Sequence, residues 1–293
     1  MDLGGTKIEL AALDASGAIV RRERTWTPTG DYAATIEAVG RLVDAAEREL
    51  GGGASIGIAT PGAISLATGR VKNANSTCLN DKPLKEDIER RLGREVRIAN
   101  DANCFALSEA VDGAASDARV VFGVILGTGV GAGLVVDRRA LMGANAIAGE
   151  WGHNPLPAPT AADHPPPHCY CGREGCVETW LSGPGMAADH ARNGGEPLAA
   201  EQIVARAEEG DPGCSATLER YEERLARALA SVINVLDPDA IVLGGGISNV
   251  HRLYQRVPRL WGAYVFSDEV RPRLLPPRHG DSSGVRGAAW LWQ

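Results

Sequence analysis

Val120-Val121-Phe122-Gly123-Val124-Ile125-Leu126-Gly127-Thr128-Gly129-Val130-Gly131-Ala132-Gly133-Leu134-Val135-Val136 is the stretch on which the fold turns. Residues 120–126 are apolar and β-branched enough to predict a buried strand, and 134–136 read as a second strand. The alternating glycines between them leave bare backbone of a size that cradles a phosphate. Their spacing fits neither the Walker A pattern nor the dinucleotide fingerprint. Taken alone, the run also reads as a plain glycine-rich hairpin. A second unit of the same kind opens the chain. Met1-Asp2-Leu3-Gly4-Gly5-Thr6-Lys7 leads straight into the apolar run 8–13, with Thr6 as a hydroxyl donor and Lys7 as a charge. The strand ahead of Gly4 is very short. Turn residues 14–17, followed by a further apolar run, predict a hairpin there. Two strand–glycine–strand units imply an internally duplicated α/β architecture that grips a phosphate between them.

The remaining pattern alternates helix and strand. Residues 31–50 carry Ile36, Val39, Val43 and Leu50 near helical spacing and stop at Gly51-Gly52-Gly53. A short buried strand is expected over 54–59, a polar loop over 72–77, a helix over 83–92 and a strand over 96–99. That strand ends in Asn100-Asp101-Ala102-Asn103. Residues at the carboxyl end of a strand line the ligand crevice of an α/β sheet. Asp101 there reads as a general base with Asn100 and Asn103 as hydrogen-bonding neighbours, or else as a mere cap on the next helix. Further on, 200–209 is a helical stretch and 217–236 an amphipathic helix, with Leu218, Tyr221, Leu225, Leu229, Val232 and Leu236 on one face. A strand over 240–243 runs into Gly244-Gly245-Gly246, which reads as a nucleoside platform or as a simple helix start. Residues 284–292 form a small-residue helix.

Between these lies Gly149-Glu150-Trp151-Gly152-His153, then a proline-rich loop or linker over 155–167, then Cys169-Tyr170-Cys171-Gly172-Arg173-Glu174-Gly175-Cys176-Val177-Glu178. His153 with Cys169, Cys171 and Cys176 supplies the one nitrogen and three sulfurs of a closed tetrahedral zinc site. Gly172 and Gly175 allow the backbone to fold tightly around one ion. His164 and His168 are alternative fourth ligands. Glu150 and Glu178 flank the ligands and are free to hold a polar substrate, unless the knot is purely structural and both are solvated.

Composition narrows the classes. Thirty Lys and Arg against 37 Asp and Glu give a net charge of −7, and no basic run occurs, so nucleic acid is not an expected partner. There is no apolar stretch of membrane-spanning length and no basic–apolar leader. Six cysteines, three clustered at metal spacing and three scattered at 78, 104 and 214, favour a reducing cytoplasm. A length of 293 residues suggests two lobes.

Taken in order, Asp2-Leu3-Gly4-Gly5-Thr6-Lys7, Asn100-Asp101-Ala102-Asn103, the 127–133 turn, Gly149 to His153, the cysteine run and Leu243-Gly244-Gly245-Gly246 resemble the ROK family of repressors, open reading frames and kinases. The resemblance covers essentially the whole chain. Val71-Lys72-Asn73-Ala74-Asn75-Ser76-Thr77, Glu150-Trp151-Gly152-His153-Asn154-Pro155-Leu156-Pro157 and His279-Gly280-Asp281-Ser282-Ser283-Gly284-Val285-Arg286-Gly287 are most similar to its manno(fructo)kinases.

That resemblance implies a two-lobed actin/hexokinase-like ATPase fold, with duplicated ribonuclease H-like domains and the active-site cleft between the lobes. Residues 1–110 and about 280–293 would form the smaller lobe, and 111–279 the larger lobe with the zinc motif. The implied reaction is ATP-dependent phosphorylation of D-fructose, and of D-mannose, to the 6-phosphate. Glucose, N-acetylglucosamine or N-acetylmannosamine are the alternative substrates. Asp101 would be the general base, and Asn75, Asn100, Glu150, His153 and Glu178 would hold the sugar hydroxyls. His153 would turn one ring nitrogen to zinc and the other to the sugar. Gly4, Gly5, Thr6, Lys7, Gly127, Thr128 and Gly129 would contact the phosphates, and Gly244, Gly245 and Gly246 the nucleoside. Magnesium would accompany ATP, zinc would be structural, and a homodimer is expected. A sugar-sensing repressor is the lesser alternative, because a DNA-binding domain would precede the first glycine turn and the chain is acidic.

Overall fold

The computed structural model describes residues 1–292. The chain divides into two compact units, one comprising Met1–Ser116, Gly133–Ala148 and the segment from Arg278 onward, the other Asp117–Ala132 and Gly149–Pro277.

In the first unit the chain forms β1 (Asp2–Leu3), β2 (Lys7–Leu13), β3 (Ile19–Trp26), α1 (Tyr32–Leu50), β4 (Gly57–Thr60), β5 (Ala63–Ile64), β6 (Val71–Lys72), α2 (Leu84–Leu92), β7 (Arg97–Asn100) and α3 (Asp101–Val111). The main sheet has the order β3-β2-β1-β4-β7. Its β1–β2 and β2–β3 pairs are antiparallel, and β1, β4 and β7 run parallel. The hairpin expected around 14–17 is β2–β3. Asp31 caps α1 by accepting the Ala34 N–H at 2.9 Å, and Gly51 closes it in the left-handed region. Ile36, Val39, Leu42 and Val43 then pack with Leu3, Ile8, Ile58 and Ile88 into the unit's core. Leu50, on that apolar face by sequence, is exposed at the helix end. The strand expected over 54–59 starts only at Gly57, because three successive left-handed glycines first turn the chain.

The second sheet has the order β10-β9-β8-β11-β12, built from β8 (Val120–Leu126), β9 (Val130–Val136), β10 (Arg139–Ala140), β11 (Ala240–Gly244) and β12 (Arg273–Leu275). β8, β11 and β12 are parallel, and β10 runs antiparallel to β9. Each sheet thus sets an antiparallel hairpin at one side of a parallel set, which is the duplication expected from the paired glycine turns. One detail differs from the sequence reading. β9 begins at Val130, so only 127–129 form the turn; Gly133 lies in the strand, bare because a Cβ there would strike the backbone of Ala102 and Asn103.

Five helices complete the second unit: α4 (Glu178–Leu181), α5 (Gly183–Arg192), α6 (Ala200–Glu208), α7 (Pro212–Leu236) and α8 (Leu253–Leu260). α7 starts five residues before the expected boundary, with Pro212 in its first turn and Asp211 accepting the Cys214 N–H at 2.8 Å. The loop 155–167 is not slack. Asp163, 2 % exposed, accepts the Arg224 Nε–H at 2.8 Å and an Arg227 Nη2–H at 3.0 Å, both from α7. The small-residue tail forms α9 (Ser283–Ala289) in the first unit, where the Ser283 hydroxyl donates to buried Glu109 of α3 at 2.8 Å and Arg286 pairs with Asp112.

Candidate active site

Parallel strands deliver their carboxyl ends to one edge of a sheet. In the first unit β4 and β7 finish side by side, Thr60 opposite Asn100, and β1 runs beside them into the Gly4 turn. The Asn100 side chain is committed at both ends: Oδ1 accepts the Ala102 N–H at 2.9 Å, capping α3, and Nδ2 donates to Gly62 O at 3.0 Å. The Ala102 N–H is shared with Asp101, whose Oδ1 accepts it at 2.8 Å, so both residues cap the start of α3. Asp101 is the first residue of α3 and is exposed, at the helix end where partial positive charge favours a carboxylate. Asn103 is buried, with Nδ2 3.9 Å from Met142 Sδ.

Asn75 is exposed on a loop held from behind. Asn80 grips Ala74 on both sides, donating to its carbonyl and accepting its N–H, each at 2.9 Å. Nothing in the sequence distinguished Asn80 from an ordinary loop residue. The Gly4–Lys7 turn closes with the Gly4 N–H donating to Lys7 O at 3.0 Å, while the Thr27 hydroxyl donates to Gly4 O at 2.7 Å. Gly5, Thr6 and Lys7 are exposed, and a Cβ at Gly5 would lie 3.2 Å from Ser76 Oγ. Asp2, two residues before the turn, has its carboxyl raised above the ordinary range by burial.

In the second unit β8 and β11 run in parallel register to Ile125 and Gly244, so the glycine turns that follow them are neighbours. Gly245 lies on Leu126, where a Cβ would strike the strand backbone, and Gly246 opens a 3-10 turn to Asn249. Thr128 is exposed at the tip of the other turn. Glu178 braces that turn: its Oε2 accepts the Val130 N–H at 2.9 Å. A residue chosen from sequence for the substrate is thus also tied to the phosphate-sized turn.

Glu150 precedes a 3-10 turn, Trp151–His153, that ends in His153. Trp151 is buried edge-on against Phe122 of β8, centroids 5.6 Å apart, and the Gly152 backbone presses on Val130 O where any side chain would collide. Glu150 is left exposed and His153 half-buried.

The four metal-ligand candidates converge. Donor atoms of His153, Cys169, Cys171 and Cys176 all lie within 4.8 Å of one another. Cys169 Sγ is 3.6 Å from His153 Nδ1, and Cys171 Sγ is 3.6 Å from Cys176 Sγ. A tetrahedron with Zn–S of about 2.3 Å and Zn–N of about 2.0 Å has edges of roughly 3.5–3.8 Å, so the donors fit that ion. Gly172 and Gly175 both have positive φ, and turn the chain back so that Cys169 N–H reaches Arg173 O at 2.8 Å. His168 instead faces Glu174, 3.2 Å away on the surface, and neither it nor His164 joins the cluster. Burial raises the Cys169 and Cys176 thiols, the latter to about 12, whereas the Arg173 N–H lowers exposed Cys171. His153 Nε2 lies 3.0 Å from the hydroxyl of Tyr170, a residue that no motif reading singled out.

A sequence profile of the ROK family matches residues 1–293. The chain is 41 % identical over 298 residues to an N-acetyl-D-glucosamine kinase of Escherichia coli O6:H1, covering 99 % of this chain and 97 % of that one. It superposes on the ROK hexokinase of Thermus thermophilus with a TM-score of 0.87 at 30 % identity, covering 99 % and 95 % of the two chains. A ROK family glucokinase from Streptomyces griseus, solved with glucose and AMPPNP, gives 0.75 at 26 % identity over 98 % and 96 %. With glycine turns, acidic strand end and Cys3His cluster all in the order expected, the protein belongs to the ROK family and is one of its sugar kinases.

Proposed function

We propose that this chain transfers the γ-phosphoryl group of magnesium-bound ATP to the primary hydroxyl of an N-acetylated hexosamine, with N-acetyl-D-glucosamine its main substrate. The observation that carries the choice of sugar is the 41 % identity to an N-acetyl-D-glucosamine kinase along nearly the whole of both chains. It favours the amino-sugar alternative over the fructose and mannose expected from 71–77, 150–157 and 279–287. The candidate sugar-holding residues in the first two stretches, Asn75, Glu150 and His153, would serve any hexose, so those stretches discriminate weakly.

Phosphoryl transfer needs positioning and charge neutralisation more than covalent chemistry. In this reading Asp101 accepts the proton of the attacking hydroxyl. A carboxylate of ordinary basicity suffices, because in a loose transition state the proton leaves late. Glu150 and Glu178 accept hydrogen bonds from sugar hydroxyls, each charge-assisted and therefore strong. Bare turns at 4–7 and 127–129 offer N–H groups and the Thr6 and Thr128 hydroxyls to phosphate oxygens, with Lys7 as a cation. Zinc bound by His153, Cys169, Cys171 and Cys176 would have no open position and would serve to fix the flanking glutamates.

The test is ADP release with ATP and magnesium across N-acetylglucosamine, N-acetylmannosamine, glucose, mannose and fructose. We expect the highest kcat/KM on N-acetylglucosamine. Preference for fructose or mannose would sink the amino-sugar assignment and restore the other.

A further inference from the structure

The glycine turn over residues 4–7 has little ladder of its own to rest on, since β1 before it is only two residues long. Its conformation is held from the far end of β3. Thr27, the residue after that strand, donates its backbone N–H to Thr6 O at 2.9 Å and its hydroxyl to Gly4 O at 2.7 Å. A third bond, from Gly4 N–H to Lys7 O at 3.0 Å, closes the turn on itself. A peptide group is planar, so a carbonyl oxygen and the N–H of the next residue point in opposite directions. Holding Gly4 O therefore sets the direction of the Gly5 N–H, away from Thr27, in a residue that is exposed. Thr27 is itself anchored. It precedes Pro28, which biases it to extended backbone. Pro28 O in turn accepts the N–H of Asp31, the cap of α1, at 3.1 Å. No glycine pattern or charge marks Thr27 in the sequence.

We propose that Thr27 is a positioning residue for the phosphoryl donor, holding the Gly4 and Thr6 carbonyls back so that the Gly5 amide presents its N–H to a phosphate oxygen. The assignment rests on the reading of 4–7 as the phosphate turn of a sugar kinase. Thr27 touches no substrate in it and acts through the backbone alone. Glycines leave a turn free to take many conformations, and each must be given up when an anion binds. An amide already aimed at the anion has no such reorganisation left to make.

Two variants separate the hydroxyl from the shape around it. Thr27→Val keeps the branched side chain and deletes the O–H, whereas Thr27→Ser keeps the O–H and deletes a methyl. Each is titrated calorimetrically with MgATP, and separately with whichever of the five sugars the parent uses best, with Tm recorded alongside. Thr27→Val should raise Kd for MgATP about three- to tenfold, the span expected of one hydrogen bond, and leave the sugar Kd at the parental value. Thr27→Ser should bind both ligands as the parent does. Under turnover the same split should appear as a raised KM for MgATP and an unchanged KM for the sugar. Parental MgATP affinity in Thr27→Val, at whatever Tm, overturns the proposal and leaves Thr27 a structural brace. So does an equal loss of affinity for both ligands, or a Thr27→Ser variant as weak as Thr27→Val. If the valine variant does not fold, Thr27→Ala carries the same comparison. A parent that binds no MgATP overturns the phosphate reading of the turn and this proposal with it. One that binds MgATP but turns over none of the five sugars overturns the sugar-kinase reading alone.

Discussion

Asn100 and Asp101 are adjacent and similar in size. The amide of Asn100 is consumed by the backbone, one end accepting the Ala102 N–H and the other holding Gly62, while Asp101 shares that N–H through Oδ1. Asp101 follows the carboxyl end of β7, where an α/β sheet presents its ligand-facing residues, and that position argues for chemistry there. Asp101→Asn should lower kcat on the preferred sugar on the order of a hundredfold or more, with sugar Kd changed by only a few-fold. Steady-state kinetics paired with calorimetry check it, and near-normal turnover would remove Asp101 as the base. At this scale residue types were legible and partners were not. Asp101, Glu178 and the four cluster residues announce themselves by type and spacing. That Asn80 clamps Ala74, that Glu178 binds the Val130 N–H, or that Tyr170 faces His153 depends on side-chain directions set by tertiary contacts.

At the level of elements, the segment 155–167 shows what composition conceals. Proline, alanine and histidine suggested a loop or linker, and it is indeed free of regular strand, but Asp163 inside it is among the most buried charges of the second unit. Burial alone would raise its carboxyl; the Thr160 N–H and the guanidinium groups of Arg224 and Arg227 outweigh that and hold it down to about 2. Arg224 is itself buried, also pairs with Asp189 at 2.8 Å, and stacks 4.2 Å from the Trp180 ring. Removing one member strands the others' charge in a dry site, so Asp163→Asn should destabilise the protein by about 3–5 kcal/mol at pH 7. The sign with pH follows from the depressed value. The unfolded carboxyl titrates near 3.8 and the folded one near 2, so the contribution is complete above about pH 5 and is lost as pH falls through about 2. Urea unfolding of parent and variant should show a gap that is constant from pH 7 to 5 and narrows below 4. A gap indifferent to acid would assign the effect to packing alone.

For the molecule as a whole, the duplication was readable because glycine turns must follow strands that deliver a backbone to a phosphate, and two such units are visible in one chain. Less was readable where packing decides: α5 and β12 have no strong period, α8 is amphipathic but only two turns long, and β9 reaches back into the glycine run, where Gly133 lies against the backbone of Ala102 and Asn103. The metal cluster was the most legible feature, since spacing alone brought four donors within 4.8 Å. No cysteine of the six is in a disulfide, so nothing covalent substitutes for an ion in that knot. Thiols that serve as ligands must ionise and approach one another, which is favourable only with a cation between them, so the binding free energy of a metal there would become folding free energy. Cys171 is the exposed member, and replacing its thiol removes a donor without leaving a core cavity. Cys171→Ser should therefore purify with well under one zinc per chain and melt on the order of 5–10 °C lower, the shift that a loss of about 3 kcal/mol produces in a protein of this size. Adding a strong chelator should lower the parent's Tm to the variant's and leave the variant unmoved, and N-acetylglucosamine should protect only the metal-loaded parent. One zinc per chain retained in the variant, or a parent whose melting ignores the chelator, would show that the four donors gather for packing and not for an ion.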